Sequence, residues 1–287
     1  MNGMHGHGLA EDLPLIEKQL LARRHALRLM ALSSAAVLLP ACGGGDASAG
    51  TDTTTSGTTG TTGTTVSNAA CIVNSTETNG PYPADGTNTA SGSTSNVLTL
   101  ASAVRSDIRA SFLGTSTVAA GTRVDLTIRL VNAQGSCAGL AGRAIYLWHC
   151  DALGRYSLYD LPNESYLRGI QVTDANGYVT FTTIFPGAYA GRYPHIHFEV
   201  FSSLAAATTG RSSLLVSQFA MPASQATAVY ADTTLYGSSA TRFPQTPLAS
   251  DNVFGDNTAA QNTQQTIAMT GSNSAGYTGT VLVGINA

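Results

Sequence analysis

The 287-residue sequence predicts an all-β fold: a β-sandwich of mixed and antiparallel Greek-key strands with long loops, preceded by a signal peptide and a disordered linker. Three observations predict it. Short runs with alternating or β-branched apolar residues recur from residue 123 to residue 285. Gly- and Asn-containing turns separate them, and helical periodicity is scarce in the same stretch. The composition agrees, with 43% hydrophobic and 11% charged residues. A net charge of −3 points to neither nucleic acid nor an acidic partner.

The first segment, residues 1–42, reads as an export signal. Arg23 and Arg24 form a twin-arginine pair, and the apolar run LRLMALSSAAVLLPAC follows it. That run is too short and too rich in small residues for a spanning helix. Its LPAC end is similar to a bacterial lipobox, which would put a lipid anchor on Cys42; an ordinary cleaved signal is the alternative. The expected location is therefore the periplasm or the cell surface, or the medium. Residues 43–68, GGGDASAGTDTTTSGTTGTTGTTVSN, cannot bury apolar surface and read as a flexible tether. The folded domain is then residues 69–287.

Within that domain the strand candidates come in order. RVDLTIRLV (123–131) alternates Val124, Leu126, Ile128 and Leu130 on one face. AIYLWHC (144–150) is aromatic and β-branched, and there Tyr146 and Trp148 read as core. GIQVTD (169–174) and YVTFTTIF (178–185) flank the turn DANG. HIHFEVF (195–201), SLLVSQF (213–219) and GTVLVGI (279–285) follow, with one short helix expected in PASQATAVYA (222–231). With Cys42 set aside, Cys71, Cys137 and Cys150 form an odd set without metal-type spacing. One disulfide and one free thiol are expected, and the sequence does not say which two pair.

The segment HIHFEVF carries the chemistry. Residues i and i+2 of a strand share a face, so His195 and His197 project together. Two imidazoles are half of a metal site, or else a polar stripe. Glu199 has the same parity and could complete a two-histidine, one-carboxylate set. Tyrosine is the other completion: Tyr189 follows a Pro-Gly turn, and Tyr156 follows the strand that ends at Cys150. A phenolate is a hard anionic ligand that suits ferric iron. His149 reads as a surface or supporting residue, and Tyr159, Tyr166 and Tyr193 as aromatic packing or hydrogen-bond donors near the site.

The run AGRAIYLWHCDALGRYSLYD…YLRGIQVTDANGYVTFTTIFPGAYAGRYPHIHFEVF resembles the intradiol ring-cleavage dioxygenases, the protocatechuate and catechol dioxygenase family, and within it the secreted branch. ETNGPYPADG (77–86) and RSDIR (105–109) extend the resemblance over residues 71–220. It implies a non-haem Fe(III) centre held by Tyr156, Tyr189, His195 and His197, the second tyrosine being the one that leaves the metal. It implies that Arg192 and Gln218 line the pocket and stabilise charge on the cleaving ring, and that Pro81 and Tyr82 border the substrate. The partners would be an aromatic diol and O2, and the product a muconate-type diacid. Gly191 stands where protocatechuate enzymes carry Trp, and the amino-terminal helices of catechol-specific enzymes have no counterpart. A reading from another class keeps the sandwich as an exported, non-catalytic lipoprotein that binds an aromatic ligand or metal. Which diol is cleaved, and the oligomeric state, are left open by the sequence.

Overall fold

The computed structural model describes residues 71–90 and 93–287. The expected signal, Cys42 and the whole of the expected linker lie outside the described residues. Eleven strands are found among those described: β1 Asp85–Ala90, β2 Ser93–Asn96, β3 Arg123–Asn132, β4 Ala138–Gly139, β5 Ala144–Trp148, β6 Arg168–Val172, β7 Tyr178–Ile184, β8 His195–Phe201, β9 Leu215–Ala220, β10 Ala268–Ser272 and β11 Gly276–Ile285. Helices are short: α1 Ala223–Tyr230, α2 Thr233–Tyr236, α3 Ser239–Arg242 and α4 Ala259–Gln265. The β-rich expectation therefore holds, and the one helix expected at 222–231 proves to be the first of a cluster.

Two sheets form the body. One has the order β10-β11-β3-β4, with β7 also on β3; the other has the order β6-β5-β8-β9. The four-stranded sheet is antiparallel throughout, while β11 runs parallel to β3. The period-2 pattern of β3 turns Val124, Leu126, Ile128 and Leu130 inward, where they share one apolar core with Ile145, Leu147, Ile196, Phe198 and Phe219 of the opposite sheet. Each such side chain, fully removed from water, contributes about 2 kcal/mol before packing terms.

The four-stranded sheet is buried on its other face as well. Every residue of β5 and of β8 is buried. The outward residues Tyr146, Trp148 and Phe201 pack under Ala84, Val97, Leu98 and Ala103 in a second cluster. The covering segment is stapled down by a disulfide between Cys71 and Cys137, which leaves Cys150 as a buried free thiol. Asn74 and Gly284 then bond reciprocally, Asn74 N–H to Gly284 O and Gly284 N–H to Asn74 Oδ1. The space between this cover and β8 holds the polar side chains of interest.

Candidate metal centre

His195 and His197 lie on the outward face of β8, both nearly inaccessible to solvent. Strand register puts Trp148, His197 and Gln218 in one row across β5, β8 and β9. Tyr156 comes from the turn after β5. Asp151 Oδ1 accepts the Leu153 and Arg155 amides there, and the Tyr156 amide donates to Asp160 Oδ2. Tyr189 comes from the loop between β7 and β8. That loop crosses the Tyr156 turn at Gly187, where an added Cβ would meet Ala152 O at 2.4 Å. Only glycine allows the two tyrosine loops to touch so closely.

The four side chains converge. Tyr156 Oη is 3.3 Å from Tyr189 Oη, Tyr189 Oη is 3.1 Å from His195 Nε2, and His195 Nε2 is 3.0 Å from His197 Nε2. His195 Nδ1 donates to the Tyr193 carbonyl at 2.6 Å, which fixes the tautomer and leaves a lone pair on Nε2, aimed into the cluster. His197 Nδ1 has no hydrogen-bond partner. A cation bonded at about 2.1 Å to ligands at right angles needs neighbouring donors about 3.0 Å apart, so this set fits a metal ion.

Electrostatics keeps all four groups neutral without a metal. Burial, then the neighbouring Tyr189, lifts the Tyr156 phenol well above its ordinary range, and burial lifts Tyr189 likewise. Burial holds His195 and His197 well below the usual imidazole range, helped by Arg192 for the first and by His195 for the second. Among the described residues no three or more His, Cys, Asp or Glu side chains gather to hold an ion. The donor set is two imidazoles and two phenols, hard enough on the oxygen side for a trivalent cation.

Glu199 does not join it. Its carboxyl packs with Asp85 beneath Gly210, where burial and then Asp85 push it well above the carboxylate range. A protonated carboxyl shared with a neighbour is a poor ligand.

Arg192 flanks the cluster, with Nη1 3.4 Å from His195 Nε2. Burial is the largest single influence and opposes its charge, but Asp251 together with Tyr189 and Tyr156 offsets it, and the guanidinium titrates above its ordinary value. Gln218 is fully committed: Oε1 accepts from Arg192 Nη2 at 2.6 Å, and Nε2 donates to Thr78 O at 2.9 Å. Tyr82 lies on Tyr156, with ring centroids 4.7 Å apart, and Pro81 precedes it on the covering segment. Arg168, wholly buried, donates to Ser157 and to Pro83 O and so ties that segment to the Tyr156 turn. His149 is not a surface residue. It is buried at the end of β5, bonded to Thr183 Oγ1 at 2.6 Å and to its neighbour's carbonyl at 2.7 Å. Tyr159 and Tyr193 also bond through their hydroxyls, to Asn88 Oδ1 and Met221 O.

Fold and site together define a two-sheet β protein built around a buried pair of tyrosines and pair of histidines. A family profile described as a dioxygenase matches residues 102–210, which include Tyr156, Tyr189, Arg192, His195 and His197. An intradiol ring-cleavage dioxygenase from Tetranychus urticae is 24% identical over 75% of this chain and 95% of its own, with a TM-score of 0.55. A second dioxygenase of known structure is 26% identical over 64% of this chain and 86% of its own, with a TM-score of 0.50. No curated protein sequence matches the chain. Profile and fold agree: residues 102–210 match the dioxygenase family model, and the described fold is similar to that of these dioxygenase structures.

Proposed function

We propose that the protein is a non-haem Fe(III)-dependent intradiol dioxygenase that cleaves a catechol-type diol with O2 to a muconate-type dicarboxylic acid. The observation that carries the reading is the convergence of Tyr156, Tyr189, His195 and His197, each within 3.3 Å of the next. Those four residues would hold the iron, which when bound supplies a template and Lewis acidity toward the chelating diol. Tyr156 and Tyr189 would hold it as phenolates.

The chain's own groups then divide the work. Tyr189 Oη, next to the Arg192 guanidinium, is the base placed to take a proton from a substrate hydroxyl. Arg192 presents a fixed positive charge where negative charge develops on the ring. Gln218 holds Arg192 from one side and the covering segment from the other. Pro81 and Tyr82 close the substrate side, and the buried walls exclude water. In the overall conversion the bond between the two hydroxyl-bearing carbons breaks and both atoms of O2 enter the product, with no external reductant.

The reading includes export: residues 69–287 as the catalytic domain, tethered by residues 43–68 to a lipid anchor at Cys42. The Cys71–Cys137 disulfide supports an oxidising compartment. The test is iron content, visible absorption and product analysis of the purified protein with catechol and chlorinated or hydroxylated relatives. We expect a red-brown ferric protein and ring-opened diacid. A colourless protein without iron overturns the metal reading. A coloured protein that binds the diols without consuming them establishes the non-catalytic lipoprotein instead.

A further inference from the structure

Asp251 lies 59 residues beyond Arg192, outside the stretch that the family profile matches. It follows the short turn Leu248–Ser250 and is 2% exposed. Its two carboxylate oxygens grip the Arg192 guanidinium, Oδ2 accepting from Nε at 3.0 Å and Oδ1 from Nη2 at 3.3 Å. Three backbone amides hold the carboxylate in turn: Tyr193 N–H at 2.7 Å, Val253 N–H at 2.9 Å and Phe254 N–H at 3.2 Å.

The consequence is geometric. Nη2 is shared between Asp251 and Gln218, Nε is taken by Asp251, and Nη1 alone is turned toward His195 Nε2. A planar fork held at two of its nitrogens cannot rotate, so the direction of the third is set by the carboxylate. Without the anion, the buried cation would have neither its charge balance nor its orientation.

We propose that Asp251 is the positioning residue of the reaction, aiming Arg192 Nη1 at the place where substrate charge develops. This rests on the dioxygenase reading above. Asp251 makes no hydrogen bond to a donor of the metal cluster, and its bidentate grip is on Arg192, so on this proposal its effect on the reaction passes through Arg192.

The test is a double-mutant cycle on the iron-loaded protein with Asp251→Asn, Arg192→Met and the two combined. Iron content and catechol turnover are read for each, and anaerobic binding of 4-nitrocatechol is followed by the shift in absorption. Asp251→Asn should keep iron and colour, lower kcat by about 100-fold and weaken 4-nitrocatechol binding by roughly tenfold. In the Arg192→Met background the same substitution should change neither quantity, because the group it acts through is gone. Multiplying losses, or loss of iron in Asp251→Asn, would overturn the proposal. If Asp251→Asn alone does not fold, folding restored in the double variant supports it, and continued failure overturns it in favour of a purely structural carboxylate. Wild-type protein that neither binds iron nor opens catechol overturns the dioxygenase reading and Asp251's role with it, an outcome visible before any variant is made.

Discussion

The indole of Trp148 lies flat against the imidazole of His197, with ring centroids 4.9 Å apart and planes 9° from parallel. Tyr146 continues the stack from the other side at 4.9 Å. The two candidate histidine ligands are thus oriented by different means. His195 is fixed by a hydrogen bond from Nδ1, whereas His197 Nδ1 has no partner and its ring lies against the Trp148 stack. Trp148→Ala should lower iron affinity about tenfold or more by freeing His197. It should also destabilise the metal-free protein by about 3–5 kcal/mol through the cavity it leaves. Trp148→Phe should recover most of the affinity. Iron titration and thermal melts separate the two effects, and wild-type affinity in Trp148→Ala would remove the stack from the account.

Phenol chemistry gives the second prediction. Burial keeps Tyr156 and Tyr189 protonated in the metal-free protein, while the binding form of each is the phenolate. Raising the pH therefore favours loading, and loading releases protons. Tyr156→Phe should release about one proton fewer per iron than wild type, and its apparent affinity should climb by about one decade less per pH unit. Its charge-transfer band should shift. Equal proton release and an unchanged spectrum would take Tyr156 out of the ligand set.

His149 predicts acid sensitivity that does not depend on iron. Burial lowers its pKa from 6.5 to about 4, and the ring bonds to Thr183 and to the Cys150 carbonyl. A base whose folded pKa is depressed takes up its proton first in the unfolded chain as pH falls. The stability linked to it is intact above about pH 6.5, declines toward pH 4 and then levels off. The slope is about 1.4 kcal/mol per pH unit for one proton. His195 and His197 act in the same direction, so the comparison is with His149→Gln, whose denaturant-melt profile between pH 7 and pH 4 should be flatter by one proton. An identical slope would mean that His149 is not buried neutral.

Much of this was legible in the chain. Val124, Leu126, Ile128 and Leu130 alternate because one sheet face meets the core, and β3 is where the period predicts it. The H-x-H spacing places both imidazoles on one face for the same reason. His149 was harder to read. Parity puts it opposite Trp148, which suggests solvent, but its sheet is covered on both faces, and burial on both sides leaves no periodic trace. Asp251 carries no local signal at all, because its partner is 59 residues away and only the folded chain joins them. Gly80 did offer one. A glycine before Pro81 invites the question of a close approach, and there the chain adopts φ +69° with the missing Cβ 3.2 Å from His197 Cε1. The cysteine pairing depends wholly on tertiary contact.

That pairing supplies the last prediction. The Cys71–Cys137 bond spans 66 residues and fixes the start of the segment that covers the site. From it the chain runs through Asn74, bonded to Gly284, to Thr78, whose carbonyl accepts from Gln218, and on to Tyr82 over Tyr156. In the chain-entropy account a loop of this length is worth about 4 kcal/mol. Reducing the metal-free protein should therefore lower its melting temperature clearly. Cys137→Ser should match the reduced wild type and respond no further to reductant, since Cys150 is buried and unpaired. Both should also bind iron more weakly, because the cover over His197 and Tyr156 loses its anchor. If reduction leaves melting and iron affinity unchanged, the hydrogen bonds of Asn74 and Gln218 hold the segment without help from the disulfide.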